Sequence, residues 1–113
     1  MSLYAVIREA GPAWVDGKGA FEQPGVNEHA AFMNILSSEG FVQFAGPLAQ
    51  SEHGRVRVLL IADAASETDI QSRLADDPWA ATQRIITTSI EPWSLLVGAE
   101  RLSRPQPAER LSP

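Results

Sequence analysis

Apolar side chains recur at helical spacing after His29. Phe32, Met33 and Leu36 follow His29 by three, four and seven residues. In a helix, these three side chains and His29 lie on one face. We predict a helix over residues 28–39, with Asn27 as its N-cap and Gly40 as its C-terminal stop. The face that must enter the core therefore begins with a titratable imidazole.

Four segments have the composition and alternation of β-strands. They are residues 3–7, 41–45, 55–62 and 84–97. The first is apolar on both alternating faces and the third becomes so along half its length, so we expect both sides of the sheet to be covered. Gly46 and Pro47 end the second segment, and Pro92 predicts a bulge or an edge position in the last.

A second helix is predicted after Ser66, which forms a capping-box pattern with Asp69. Pro78 ends this helix, because the residue before a proline avoids the helical region. Asp77 therefore lies outside it. Asp77 and Pro78 also suit the N-cap and first position of a further short helix over residues 78–83.

The order strand, helix, strand, strand, helix, strand predicts a ferredoxin-like α+β sandwich. In this βαββαβ fold both helices cover one face of a four-stranded antiparallel sheet. The other face would expose Leu59 and Ile61 together with one side of residues 3–7. We therefore expect a homodimer that packs sheet to sheet, since an apolar face of this kind marks an interface.

The 113 residues suffice for one hydrophobic core. We assign residues 1–98 to a single domain and residues 99–113 to a polar C-terminal tail. The tail has no periodicity and carries Pro105, Pro107 and Pro113, so by itself we expect it to be flexible; the alternative is that it packs on another surface, such as a neighbouring chain.

Composition excludes several classes of function. The net charge is −5, and the nine Lys and Arg residues are scattered, which argues against nucleic acid as a partner. No apolar run approaches the ~20 residues of a membrane span, and Arg8 and Glu9 interrupt the first apolar segment, so we expect no membrane association and a cytoplasmic protein. With no cysteine, and only His29 and a turn residue, His53, as histidines, we expect neither a metal nor another cofactor.

A Gly- and Pro-rich connection spans residues 11–25. Connections of this length are uncommon and often functional, although a tolerated surface insertion is equally compatible. Its Trp14 and Phe21, together with Trp79, could wall an apolar pocket, but packing in the core or an interface is the commoner fate of such side chains. The loop also carries polar side chains that either contact a ligand or are merely solvated: Asp16, Glu22 and Gln23.

Two sequence blocks resemble the YCII-related (YciI-like) family of the dimeric α+β barrel superfamily. The first runs from His29 through the helix to Gly46, Pro47 and Leu48, and the second is the Asp-Asp-Pro-Trp run at residues 76–79, followed by Glu-Pro-Trp at residues 91–93. The resemblance covers about residues 3–98. It implies a ferredoxin-like protomer, a homodimer and a site built from His29 and Asp77. A few similar proteins act on chlorinated or hydroxylated aromatic rings by proton transfer.

His29 is the main candidate for chemistry, because a neutral imidazole accepts a proton near neutral pH. From the pattern alone, a core histidine bonded to a backbone carbonyl is the favoured interpretation. The resemblance reverses this preference and implies that Asp77 fixes the imidazole tautomer. Asp77 can cap a helix and pair with His29 at once, since a carboxylate has two oxygens. We expect the pair within hydrogen-bond reach at the mouth of a cavity, with Trp14 or Phe21 facing His29.

Two functions remain open at this point. One is a small cofactor-free enzyme in which His29 moves a proton on a small aromatic or carbonyl substrate, giving an isomerisation or elimination. Its substrate-binding residues would be Trp14, Phe21, Gly46, Pro47 and Trp79, with Gly46 and Pro47 alternatively serving only as turn residues. The other is a non-catalytic small-molecule-binding or accessory dimeric module. An enzyme requires His29 open to a cavity, whereas an imidazole with both nitrogens satisfied indicates a structural role.

Overall fold

The computed structural model describes residues 2–49 and 55–103. The strands are β1 (Leu3–Ala10), β2 (Val42–Pro47), β3 (Arg57–Asp63) and β4 (Ile85–Pro92). The helices are α1 (Val26–Ser38), α2 (Glu67–Leu74), α3 (Pro78–Ala81) and α4 (Ala99–Ser103). The strands form one antiparallel sheet in the order β2-β3-β1-β4. This is the ferredoxin-like α+β arrangement predicted from the sequence.

Helix α1 begins earlier than predicted. Its N-cap is Gly25, not Asn27, and Gly25 has a left-handed backbone with φ 79°. Glycine reaches this conformation without strain, and its carbonyl accepts the first helical hydrogen bond, from the amide of His29 at 3.0 Å. The predicted stop is confirmed, because Gly40 follows the helix with φ 81°. The amide of Phe41 then closes the terminus on the carbonyl of Leu36, as in a Schellman motif.

The strand boundaries differ from the sequence predictions in several places, among them β3, which begins at Arg57 and not at residue 55. Strand β1 continues to Ala10, and Gly46 and Pro47 form the last two pairs of β2, not a turn after it. Proline is tolerated there because β2 is an edge strand. Strand β4 ends at Pro92 instead of continuing to residue 97. Of the two alternatives predicted for Pro92, the edge position is confirmed, because β4 is an edge strand. The bulge lies elsewhere, where the β1–β4 register shifts between Ile7 and Arg8.

The two predicted caps of the second half are present. The Ser66 side chain accepts a hydrogen bond from the amide of Asp69, and Asp77 lies outside α2. Asp77 caps α3, which has Pro78 in its first turn. Helix α3 is shorter than the predicted 78–83, because Gln83 takes a positive φ of 65° and turns the chain into β4.

The core lies between the helices and one face of the sheet. Its larger cluster joins α1 and α2 to the middle strands through Val6, Leu36, Leu60, Ala62, Ile70 and Leu74. A smaller cluster, formed by Trp14, Trp79 and Ile85, closes the end of the sheet beneath the loop of residues 11–25. This second cluster supports the candidate site described below.

Within residues 2–49 and 55–103, helices α1, α2 and α3 leave the opposite side of the sheet uncovered. We call it the open face; it is formed by Ala5, Ile7, Phe44, Leu59 and Ile61. Leu59 is 36% exposed and Phe44 is exposed as well. The expectation that Ile61 is exposed is wrong: it is buried between its cross-strand partners Ala5 and Phe44.

The C-terminal segment differs in part from its prediction. Ala99–Ser103 forms α4, a short helix that the sequence did not predict. Residues 104–113 and the predicted turn residue His53 lie outside the described residues. Across residues 2–49 and 55–103, every helix is too short or too polar to span a bilayer.

Candidate active site

Asp77 is the most enclosed polar residue of the site. Its side chain is 0% exposed. As the N-cap of α3, its Oδ1 accepts a hydrogen bond of 2.9 Å from the amide of Trp79. Both carboxylate oxygens also lie 2.9 Å from Nδ1 of His29. Capping and pairing with His29 therefore coexist on one carboxylate.

Arg8 provides a third contact that the sequence analysis missed. Its side chain is 2% exposed, and Nη1 donates to Oδ2 of Asp77 at 2.9 Å. Arg8 lies on the helix-facing side of β1, two residues after the buried Val6. A charged side chain on the buried face of a central strand is the signal that could have identified it.

The contacts of Asp77 determine its ionisation. Burial alone would raise its pKa, but the hydrogen bonds from His29 and the Trp79 amide, together with the charge of Arg8, outweigh burial and hold the pKa below its ordinary value. Burial also lowers the pKa of Arg8, although the neighbouring Asp77 opposes this effect. Asp77 is thus a carboxylate that only accepts hydrogen bonds, so the proton between it and His29 resides on Nδ1.

His29 has a defined orientation on the first turns of α1. Its ring stacks on the indole of Trp79, with centroids 4.0 Å apart and planes inclined by 7°. Within the described part of the chain, the hydrogen bonds of its side chain run through Nδ1. In the neutral ring with its proton on Nδ1, Nε2 on the far edge carries a lone pair. The side chain is 18% exposed.

Trp79 is itself held from two sides. Its Nε1 donates to the carbonyl of Pro24 at 2.9 Å, which ties α3 to the residue before the N-cap of α1. The ring of Trp14 meets it edge-on, with centroids 5.7 Å apart. Trp14 is buried behind Trp79 and does not line the cavity beside His29. Of the two candidates predicted to face His29, Trp14 does not, because the Trp79 ring occupies that position; Phe21 lines the same cavity as His29.

A cavity of about 360 Å³ opens beside His29. It lies between α1, the helix-facing side of β2 and β3, and the end of the long loop. Its wall includes Phe21, His29, Met33, Gly46, Pro47 and Trp79. Asp77 does not belong to the wall; the prediction that both members of the pair lie at the cavity mouth holds for His29 alone.

The loop of residues 11–25 is organised by Gln23, whose side chain is buried. Its amide group bonds the amide and carbonyl of Val15 and the carbonyl of Lys18, each at 2.9 Å. Gln23 therefore neither contacts a ligand nor is solvated. It holds the loop so that Phe21, 92% exposed, stands at the rim of the cavity.

Asp16 and Glu22 also have partners within the protein. Asp16 pairs with Arg55 at 2.7 Å, and Glu22 accepts from the amide of Gly19 at 3.1 Å. Nothing in the loop pattern distinguished Gln23 from these neighbours, because its role depends on carbonyls that only the folded loop brings together. Among the described residues, no cluster of three or more His, Cys, Asp or Glu side chains could hold a metal ion.

Comparison with known proteins identifies the fold. No family model matches the chain, and no curated protein sequence matches it. Among solved structures it is similar to 5-chloro-2-hydroxyhydroquinone dehydrochlorinase (TftG) from Burkholderia phenoliruptrix, in complex with 2,5-dihydroxybenzoquinone. The TM-score is 0.55 at 20% identity, over 81% of this chain and 93% of that chain. The chain therefore has a ferredoxin-like α+β fold, which it shares with that protein.

Proposed function

We propose that the protein is a small enzyme in which His29 transfers a proton on a small aromatic or carbonyl substrate, without a cofactor. The observation that carries the proposal is the 2.9 Å contact between Nδ1 of His29 and the buried carboxylate of Asp77, beside a cavity. A buried carboxylate that orients an imidazole whose other nitrogen is open is the arrangement of a general base.

The proton path follows from these contacts. Nε2 of His29 takes a proton from a C–H or O–H group of the substrate, and the ring becomes an imidazolium. Asp77 stabilises that cation across the Nδ1 hydrogen bond. Return of the proton to another substrate atom completes an isomerisation. In an elimination, the C–H electron pair forms the new double bond, the leaving group departs with its bonding pair, and the imidazolium releases its proton to that group or to solvent. Arg8 keeps Asp77 ionised throughout, since its guanidinium remains bonded to Oδ2.

The cavity favours a small and largely apolar substrate. Its volume of about 360 Å³ lies at the lower end of the range of ligand pockets. Its wall combines aliphatic strand residues such as Val58 and Leu60 with the rings of Phe21 and Trp79. TftG, which shares the fold, is a dehydrochlorinase of a chlorinated hydroxyhydroquinone. A ring of that size and polarity suits this cavity.

A structural role for His29 is less well supported. A core histidine would have both nitrogens bonded and no access to a cavity, whereas His29 lines the cavity and bonds through Nδ1. A non-catalytic binding module remains the second candidate, because an apolar cavity with one polar group also suits simple binding. Turnover distinguishes the two.

Hydrogen exchange of candidate substrates tests the proposal directly. The protein is incubated in D2O with hydroquinones, hydroxyquinones and unsaturated lactones, and NMR follows replacement of substrate hydrogen by deuterium. We expect exchange with at least one compound, lowered about 100-fold or more in His29→Asn, and unchanged in Glu28→Gln, a neighbouring exposed position on α1. Exchange that is equal in wild type and His29→Asn would contradict proton transfer by His29. Stoichiometric binding without exchange would favour the binding module.

We further propose that the protein is a homodimer of the YCII-related family, assembled through the open face. Support comes from Leu59 and Phe44, which are large apolar side chains left exposed on that face. A stable interface buries at least ~1,000 Å² in total. The fold shared with TftG supports the same expectation.

A further inference from the structure

The guanidinium of Arg8 is only partly used by the protein. Nη1 bonds Asp77, but within the described residues Nε and Nη2 have no hydrogen-bond partner although both atoms are buried. Buried polar groups are bonded in the great majority of cases, and each exception requires an explanation. A guanidinium stays protonated at ordinary pH, so Arg8 cannot remove these unpaired donors by losing a proton.

The unused nitrogens belong to a side chain in the cavity wall. Arg8 lines the same cavity as His29. Among the wall residues of the described chain there is no Asp or Glu, and the other polar side chains are those of His29 and Asn34. Arg8 is thus the one cationic side chain among these wall residues. Asp77 compensates its charge at Nη1, and Nε and Nη2 stay buried without a partner in the described residues.

Met33 occupies the position beside the guanidinium. Its Sδ lies 3.9 Å from Nη1 of Arg8, and Met33 is also a wall residue. A thioether is a weak acceptor, so it does not satisfy the guanidinium. Its unbranched chain adapts readily to a new neighbour, which allows a ligand oxygen to approach Arg8.

We propose that the substrate carries an ionised oxygen, and that Nε and Nη2 of Arg8 receive this oxygen. Guanidinium nitrogens bind anionic oxygens strongly and with defined geometry. The oxygen belongs to a phenolate, an enolate or a carboxylate, which share this chemistry. The proposal rests on the proposed function because it places the reacting molecule between Arg8 and His29. It adds a substrate class that the His29–Asp77 pair alone does not specify.

Binding of matched unreactive ligands tests this class. Isothermal titration compares benzoate with its neutral isostere benzamide, and 2,4-dinitrophenolate with its neutral methyl ether. We expect at least one anion to bind about tenfold or more tightly than its neutral partner, which corresponds to one good charge-assisted hydrogen bond. Preference within the first pair indicates a carboxylate, and preference within the second indicates a phenolate or enolate.

The variant Arg8→Lys tests whether the preference for anions depends on the guanidinium of Arg8. Lysine keeps the positive charge next to Asp77 but lacks Nε and Nη2, so the fold is retained while the anion preference falls to less than threefold. Arg57→Lys, the same change at a surface position of β3, is the matched control and keeps the full preference. A circular-dichroism melt verifies that both variants are folded; if Arg8→Lys is not, the two wild-type ligand pairs decide alone.

Three outcomes would overturn the proposal: equal binding of the anionic and neutral partners to wild type, no binding of either anion, or full anion preference in folded Arg8→Lys. Failure of the proposed function is distinguishable, because these titrations need no turnover. An Arg8-dependent anion preference without any hydrogen exchange would retain the anion site and reject proton transfer. Hydrogen exchange of neutral substrates without any anion preference would retain proton transfer by His29 and reject the anion site.

Discussion

The imidazole of His29 lies flat against the indole of Trp79, with ring centroids 4.0 Å apart. Two residues before Trp79, Asp77 bonds the edge of the same imidazole through Nδ1. One tripeptide, Asp77 to Trp79, therefore sets both the plane and the rotation of the histidine ring. The amide of Trp79 also donates to Asp77, so the cap of α3 holds the two contacts in fixed relation.

Asp77→Asn should strongly destabilise the fold. Asparagine is also a good N-cap, so the helix cap is retained and the change removes mainly the charge that compensates Arg8. Loss of one member of a buried ion pair costs about 3–5 kcal/mol. Urea or thermal unfolding measures the effect. Asp76→Asn, at the exposed neighbouring position, is the control and should change stability by less than about 0.5 kcal/mol. A similar stability of the two variants would contradict the importance of the Arg8–Asp77 pair.

Acid should unfold the wild-type protein partly through Asp77. The pKa of Asp77 is lowered in the folded protein, so below its ordinary value of about 3.9 the unfolded chain binds more protons than the folded one. The stability due to Asp77 is therefore complete above that value and is lost as the pH falls through the folded pKa. Unfolding free energies measured from pH 6 downward should fall more steeply in wild type than in Asp77→Asn. Parallel curves would show that Asp77 is not the group responsible.

Trp79→Phe should loosen the connection between the long loop and the site. Phenylalanine retains an aromatic face for His29 but leaves the carbonyl of Pro24 without its donor. Because Pro24 is exposed, water can replace that donor, and the loss costs about 0.5–1.5 kcal/mol. Amide hydrogen exchange should increase in residues 11–25 and ligand binding should weaken. Trp93→Phe changes a tryptophan outside the cavity wall and should leave exchange in the loop as it is. Unchanged exchange in Trp79→Phe would show that the order of the loop does not depend on the bond between Trp79 and Pro24.

Leu59→Asp should convert the proposed dimer into a monomer. The substitution places a charge at the centre of the open face, where it would have to be desolvated in a sheet-to-sheet interface. Light scattering coupled to size-exclusion chromatography measures the mass at micromolar concentration. Gln71→Asp introduces a carboxylate on α2, on the helical side of the protomer, and should remain dimeric. A monomeric wild type would reject assembly through the open face.

Much of the fold was predictable because it depends on local chemistry and spacing. The helical stripe after His29, the Ser66 cap and the helix-ending Pro78 each act within a few residues, and the order of elements leads to the ferredoxin-like sheet. Boundaries were less predictable where tertiary contacts compete with local preference. Asn27 is a better N-cap by type than Gly25, yet α1 begins at Val26, where Trp79 bonds Pro24.

The sequence by itself determined the fold class, and it indicated His29 and Asp77 as a pair through the resemblance of their two blocks. Only the tertiary structure decided what surrounds them. Arg8 lies 69 positions from Asp77 along the chain. The side chain of Gln23 donates to the carbonyl of Val15 within the folded loop, and that of Trp79 donates to the distant carbonyl of Pro24. No spacing rule encodes such contacts, because they arise when strands, loop and helices pack. The buried partner of a carboxylate is therefore a property of the folded chain.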